Sequence, residues 1–372
     1  MIKVLITGAN GFIGKNLIER LHREKDLIIK KYNSRDDLSL LHEHLSDSDV
    51  IYHLAGVNRP LDNQEFIKTN IGLTEEIINY LKKINRKPKI IFSSSIQAEY
   101  ENPYGASKNA AEEILKKYSV ESGQEVYIYR LPNVFGKWCK PNYNSVVATF
   151  CHNISHDIDI SIHDANKKLE LIYIDDVVES FTDCLYRENK EEQYYCPLTQ
   201  TFTIKLGELV KRLYEIRDMR KTLIIPNLSD KLTKFLYATY LSYLDHSNFS
   251  YELPTYKDER GSLFELIKSH QMGQIFISKS GKGVMRGNHY HNTKVEKFCV
   301  LKGEANIKFR KIDCDEIITY FVTDKKIEVV DIPPGYTHSI ENLSDEEMIV
   351  LFWANEIFDS TKSDTFYLNV QI

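Results

Sequence analysis

A chain of 372 residues, 42% hydrophobic and 27% charged, is too long for one ordinary core and too apolar to be disordered, so two globular domains are expected. Its net charge of −5 offers no attraction to nucleic acid or to an anionic membrane, and neither is expected as a partner. The six cysteines are scattered, Met1-Ile2-Lys3 opens on a strand rather than a signal peptide, and no apolar run approaches the ~20 residues of a bilayer span, which predicts reduced thiols in the cytoplasm.

Ile2-Lys3-Val4-Leu5-Ile6-Thr7 is short, β-rich and bounded by glycine, and reads as a buried strand. Ile13, Leu17, Ile18 and Leu21 then recur at helical spacing. Between them lies Gly8-Ala9-Asn10-Gly11-Phe12-Ile13-Gly14, a strand–turn–helix junction of the kind that cradles a dinucleotide. Its spacing is G-x-x-G-x-x-G, and the helix start offers free N–H groups to phosphate. A second strand, Leu27-Ile28-Ile29, runs into Lys31 and Arg35, where a ribose-binding acid would favour NAD; basic residues there favour NADP.

A helix around residues 38–45, a strand Val50–Gly56, a helix carrying Asn70, Ile71, Leu73, Ile77, Ile78 and Leu81, and a strand Ile90-Ile91-Phe92 ending in Ser93-Ser94-Ser95 continue the alternation. That order predicts an α/β, Rossmann-like parallel sheet with its ligand outside the strands' carboxyl ends. Tyr104 and Lys108, four apart near a helix start, share one face, so the ammonium can depress the phenol's pKa. Such a phenol can protonate a carbonyl oxygen as hydride arrives, and a serine from the preceding strand can hold the same oxygen.

In combination these pieces resemble the extended short-chain dehydrogenase/reductase family: Thr7 to Gly14, His53-Leu54-Ala55-Gly56, Asn70, Ser93-Ser94-Ser95, Tyr104 with Lys108, Arg130 to Gly136, and Tyr173 to Val177. The resemblance implies a nicotinamide dinucleotide held by Gly8, Asn10, Gly11, Phe12, Ile13, Gly14, Leu54, Ala55, Gly56, Tyr104 and Lys108, with Arg35 read above as the NADPH determinant. It further implies Tyr104 as proton donor, Lys108 on the ribose, Ser95 (with Ser94 as the alternative) on the carbonyl, Asn133 on a nucleotide-sugar substrate. Only eight residues separate Ser95 from Tyr104, fewer than is usual there, so part of the substrate wall must come from elsewhere; Trp138–Tyr143 is the candidate, or else a subunit contact. Two further helical patterns follow, residues 206–216 and 228–244, the second carrying Tyr237, Tyr240 and Tyr243 as packing or interface residues.

The polar stretch 245–250 marks the expected boundary, giving domains 1–246 and 250–372. Beyond it short alternating runs (274–278, 298–301, 305–310, 317–322, 326–332, 348–353) describe an antiparallel sandwich or barrel. His289 and His291 alternate on one strand, Glu296 follows, and His338 comes after the turn Pro333-Pro334-Gly335; three imidazoles and a carboxylate suit zinc or another borderline divalent metal.

Gly283-x5-His289-x-His291-x4-Glu296-x6-Gly303 and Pro333–Asn342 resemble the two cupin motifs, which implies an all-β cupin barrel with His289, His291, Glu296 and His338 as metal ligands. Asp258–Glu265 and Arg286–Tyr290 are similar to signatures of deoxysugar 3,5-epimerase-type cupins, implying that Arg260, Glu265 and Arg286 touch a nucleotide sugar. There the histidine matching His289 is the base and no metal binds, so no base is assigned here. The whole chain, including Gly136–Ser145, resembles the family of bifunctional capsular polysaccharide enzymes. That resemblance implies a homodimer whose cupin epimerises C3 of a UDP-4-keto-6-deoxy-N-acetylhexosamine. Its reductase then uses NADPH at C4 to give UDP-2-acetamido-2,6-dideoxy-L-talose, toward UDP-N-acetyl-L-fucosamine.

Overall fold

The computed structural model describes residues 1–60, 62–187 and 194–372. They group into two compact units, Met1–Leu213 with Phe235–Leu244, and Tyr214–Lys234 with Asp245–Ile372. Residues 214–234, expected in the first domain, thus group with the second unit.

In the first unit the alternation of the sequence becomes β1 (Ile2–Thr7), α1 (Phe12–Leu21), β2 (Leu27–Tyr32), α2 (Leu38–Asp47), β3 (Val50–His53), α3 (Leu73–Lys83), β4 (Lys89–Ser95), α4 (Pro103–Ser122) and β5 (Val126–Leu131). The five strands form one parallel sheet in the order β2-β1-β3-β4-β5. Residues Val4, Leu5 and Ile6 are wholly buried, as a strand covered on both faces demands. The chain leaves β1 between strands whose connections diverge to either side, which is where an open α/β sheet leaves its ligand crevice. The helix predicted across Asn70 starts as a π-helical turn, Phe66–Gly72, before α3. A short sheet of β6 (Asn133–Phe135), β7 (Lys168–Tyr173) and β8 (Phe202–Lys205) and the helices α5 (Val146–Ser155) and α6 (Ile174–Tyr186) complete the crevice side. Helices α7 (Leu206–Thr222) and α8 (Lys231–Leu241) cover the two later helical patterns, and Tyr240 is buried as packing requires.

The second unit holds two antiparallel sheets. One runs β16 (Val329–Ile332), β13 (Glu296–Lys302), β18 (Met348–Ala354), β11 (Gly273–Ser280), β10 (Gly261–Ser269), β9 (Tyr256–Asp258). The other runs β15 (Ile317–Thr323), β14 (Glu304–Lys311), β17 (Tyr336–Asn342), β12 (Met285–Tyr290), β19 (Phe366–Tyr367). Alternate residues of both, such as Phe298 and Val300 facing Ile307 and Phe309, fill one shared core. Among the described residues no ladder joins the two sheets, so the all-β expectation holds at the level of a two-sheet sandwich rather than a closed barrel. No helix among the described residues is long and apolar enough to cross a membrane.

The glycine turn shows why its residues are what they are. Gly8 adopts φ +70°, and Gly14 faces the turn so closely that a Cβ there would stand 2.4 Å from the Gly8 carbonyl oxygen and 2.9 Å from Ala9 Cα. Both neighbours are backbone and cannot swing aside. Gly14→Ala is therefore expected to cost about 1–3 kcal/mol, the usual range for overpacking. A urea midpoint indistinguishable from the parent's would contradict this packing.

Candidate functional site

A cavity of about 970 Å³ opens at the carboxyl ends of β1, β3 and β4. That volume lies at the upper end for a small-molecule site. Gly8, Asn10, Gly11, Phe12, Ile13 and Gly14 line one part of it, Leu54 and Gly56 another. Helix α1 starts at Gly11 with no side chain capping its first N–H groups and no acid in its first turn, which leaves the positive end of the dipole available to an anion. Asn10 N–H donates to Asn33 Oδ1 (2.7 Å), and Asn33 N–H donates to Asp36 Oδ2 (2.7 Å), so the acid nearest the end of β2 is occupied in shaping the turn. Arg35 is exposed on that loop and does not line the cavity. Ala55 does not line it either; its N–H donates to Thr7 Oγ1 at 3.2 Å.

Ser95, Tyr104 and Lys108 come together in this cavity. The head of α4 is fixed by Asn102, whose side chain accepts from Gly105 N–H at 2.8 Å, with Pro103 next to it in the first turn. Burial raises the Tyr104 phenol above its ordinary pKa, while a hydrogen bond with Ser95 pulls it back. Lys108 is buried, its ammonium 4.5 Å over the Phe92 ring; burial brings its pKa down to about 8, against the opposing pull of Glu112. A Cβ on Gly56 would stand 3.6 Å from Lys108 Nζ, which places the ammonium just beneath that strand end. The depression of Tyr104 expected from Lys108 is thus corrected: burial sets the direction and raises the phenol's pKa, which favours the protonated form that a proton donor needs.

Ser94, the alternative to Ser95, has another task. Its hydroxyl donates to Glu112 Oε1 at 2.5 Å, and Glu112 is fully buried. Arg130 grips the same carboxylate through Nε at 3.0 Å and Nη2 at 2.6 Å, Tyr195 donates to Oε2 at 2.9 Å, and Arg130 also reaches Glu99 at 2.6 Å. Burial alone would push the Glu112 carboxyl up, but these hydrogen bonds hold it below its usual range. Sequence reasoning passed over Glu112, although its spacing, one helical turn past Lys108 on the same face, was a usable signal.

The remaining wall includes Trp138, Cys139, Lys140 and Tyr143, so the Trp138–Tyr143 segment lies where a substitute for the short 95–104 loop was sought. It is anchored by Lys137 to Asp175 (2.6 Å), by Asn142 N–H to Thr149 Oγ1 (3.0 Å) and by Tyr243 OH to the Cys139 carbonyl (2.5 Å). Asn133 is exposed at the start of β6 and lines the same cavity, its amide donating to the Glu170 carbonyl at 3.1 Å.

In the second unit His289, His291, Glu296 and His338 offer ligand atoms that all lie within 4.8 Å of one another. The two histidines of β12 do not simply alternate: the ladder to β17 shifts between Gly287 and His289, Asn288 takes φ 58°, and His291 lies just past the strand. The bulge re-aims both rings toward His338, which pairs with His289 across the ladder. Burial, with the neighbouring His338 and His291, lowers the His289 pKa to about 4, leaving the neutral ring a metal requires. Nε2 of His291 and of His338 are buried without a hydrogen-bond partner, although they stand 3.3 and 3.5 Å from Glu296 Oε2. Two orphaned imidazole nitrogens converging on a carboxylate fit a divalent cation. Arg286 donates from Nε to Ser280 Oγ (2.8 Å) and from Nη2 to the Arg260 backbone carbonyl (3.3 Å). Arg260 is paired with Asp258 at 2.5 Å, and Glu265 is tied to Lys268 at 2.7 Å.

Residues 4–195 match the NAD dependent epimerase/dehydratase family, and residues 256–366 match the polysaccharide biosynthesis C-terminal domain. Over 370 residues the chain is 42% identical to the UDP-2-acetamido-2,6-beta-L-arabino-hexul-4-ose reductase of Pseudomonas aeruginosa, covering 99% of each. The solved structure of the capsular polysaccharide assembling protein CapF from Staphylococcus aureus is similar with a TM-score of 0.92 at 44% identity, covering 99% of this chain and 100% of that one. The UDP-glucuronic acid 4-epimerase of Bacillus cereus superposes with a TM-score of 0.56 over 65% of this chain and 98% of its own, and at 20% identity shows the fold alone.

Replacing Glu112 with leucine strips four donors of their acceptor. Breaking a buried pair typically costs about 3–5 kcal/mol, and the low end is expected here because Arg130 keeps Glu99 and some solvent. Chemical unfolding of the variant measures it; a loss under about 1 kcal/mol, the worth of a surface pair, would contradict the clamp.

Proposed function

The chain belongs to the NAD dependent epimerase/dehydratase family, and on that premise we propose that it is a bifunctional sugar-nucleotide enzyme. Its residues 1–246 reduce, with NADPH, the C4 ketone of a UDP-4-keto-6-deoxy-N-acetylhexosamine, and its residues 250–372 first epimerise C3. The product is UDP-2-acetamido-2,6-dideoxy-L-talose, a precursor of UDP-N-acetyl-L-fucosamine for capsule synthesis. A cytoplasmic homodimer, with a cupin-type second domain, belongs to the same reading. The observation that carries it is that Ser95, Tyr104 at the head of α4 and Lys108 one turn on all line one cavity that begins at the glycine turn.

When bound, the reduced nicotinamide supplies hydride to C4. Tyr104 gives its phenolic proton to the carbonyl oxygen, Ser95 holds that oxygen by donating to it, and the Lys108 ammonium holds the ribose. Asn10 and the N–H groups opening α1 receive the pyrophosphate, and Asn133 with the Trp138–Tyr143 wall receives the sugar nucleotide. In the second domain, Arg260 and Arg286 receive the substrate's diphosphate and Glu265 its sugar. His289, His291, Glu296 and His338 would hold a divalent metal such as zinc, whose Lewis acidity can polarise a ketone oxygen. The 4-ketone acidifies the C3 proton, so one functional group serves both steps.

Tyr104→Phe removes the reductase's proton donor and leaves the second domain untouched. Hydride transfer, followed by loss of NADPH absorbance, should fall ~10²–10⁴-fold, the usual worth of a positioned general acid. In D₂O without NADPH the same variant should still carry deuterium into C3 of the UDP-4-keto sugar. Deuterium entry that vanishes with Tyr104 would refute the division of labour.

Arg35, with Lys31, stands where a ribose-binding acid would be. Arg35→Ala should raise the KM for NADPH several-fold with little effect on NADH. Equal use of both cofactors by the unaltered enzyme would count against this assignment.

A further inference from the structure

We propose that Asp364, in the tail beyond the last long strand, is the positioning residue of the His289–His291–Glu296–His338 centre; this rests on the metal reading above. The segment 292–294 joins two of the four candidate ligands. Asp364 collects all three backbone N–H groups on it and one hydroxyl. Asn292 N–H donates to Oδ1 at 3.0 Å, Thr293 and Lys294 N–H donate to Oδ2 at 2.7 and 2.8 Å, and the Thr293 hydroxyl donates to Oδ2 at 2.9 Å. The Asp364 carbonyl meanwhile accepts from His291 Nδ1 at 2.5 Å.

Two consequences reach the ligands. A carbonyl can only accept, so the proton of neutral His291 sits on Nδ1, and its Nε2 lone pair points at the centre, where it has no other partner. Pinning the Lys294 backbone also turns its buried side chain inward, so that Nζ lies 3.3 Å from Glu296 Oε1. That ammonium occupies one carboxylate oxygen, and the other, Oε2, faces His291 and His338. A residue some seventy positions away thus sets the tautomer of one ligand and the orientation of another.

A tail anchor alone would need none of this, because the tail is fastened elsewhere. Arg310 donates to the Val370 and Asn369 carbonyls at 2.9 and 2.8 Å, Leu368 N–H donates to the Asn288 carbonyl at 2.9 Å, and Thr337 bonds the Leu368 carbonyl. Asp364→Asn should therefore fold.

The test uses the full chain, stripped with chelator and titrated with Zn²⁺ against a chromophoric competitor, alongside the unfolding midpoint of the metal-free protein. The parent should take up one zinc per chain, and Asp364→Asn should bind it about 10–100-fold more weakly, as loss of an outer hydrogen-bonding partner usually does. Its metal-free midpoint should stay near the parent's. Should Asp364→Asn fail to fold, Thr293→Val, which removes one donor, should show a smaller loss of zinc affinity, and an unchanged affinity there overturns the proposal. Unchanged affinity in Asp364→Asn, with or without a lowered metal-free midpoint, leaves Asp364 a plain tail anchor and overturns it. A parent chain that takes up no zinc overturns the metal reading itself, which separates the two failures.

Discussion

A carboxylate taken wholly out of water must be ringed by donors or else pick up a proton. Glu112 is so placed, and the donors it recruits come from Ser94 on β4, Arg130 on β5 and Tyr195 beyond. Because Glu112 rides on the same helix as Tyr104 and Lys108, the clamp fixes that helix against the strand whose next residue is Ser95. Arg130 contributes more than charge: its planar fork contacts both oxygens of Glu112 and leaves Nη1 for Glu99.

The second unit solves the same problem with the opposite economy. Its centre leaves two imidazole nitrogens unpartnered and spends its hydrogen bonds one layer further out, on Asp364 and Lys294. Unsatisfied buried atoms are costly unless something else meets them. Their convergence, with the lowered pKa of His289, is what would favour a divalent cation at the proposed centre.

Much of this was legible in the chain because its chemistry is local in sequence. Strand, glycine turn and helix lie within about twenty residues, Tyr104 and Lys108 share one helical face, and the histidine spacing survives the β-bulge that it could not reveal. What escaped depends on partners far along the chain. Glu112 in a charged helix reads as a solvated residue until Arg130 and Tyr195 are seen around it, and Asp364 gives no local sign of its role. The pKa of Tyr104 ran opposite to expectation because spacing reports the neighbouring charge but not the burial of Lys108 and the phenol together. Residues 214–234 look continuous with the first domain, yet they belong with the second unit, where Lys268 N–H donates to the Leu223 carbonyl and Ile225 N–H donates to the Lys268 carbonyl on β10.

The central claim is that one ketone serves two sites in one chain, epimerisation at C3 preceding reduction at C4. The direct measurement is the isotopic pattern of the product when the unaltered enzyme turns over the UDP-4-keto sugar in D₂O with excess NADPH. NMR should find deuterium from solvent at C3 and protium from the nicotinamide at C4, with C3 inverted. Product that keeps its original hydrogen and configuration at C3 would show a reductase alone and contradict the account.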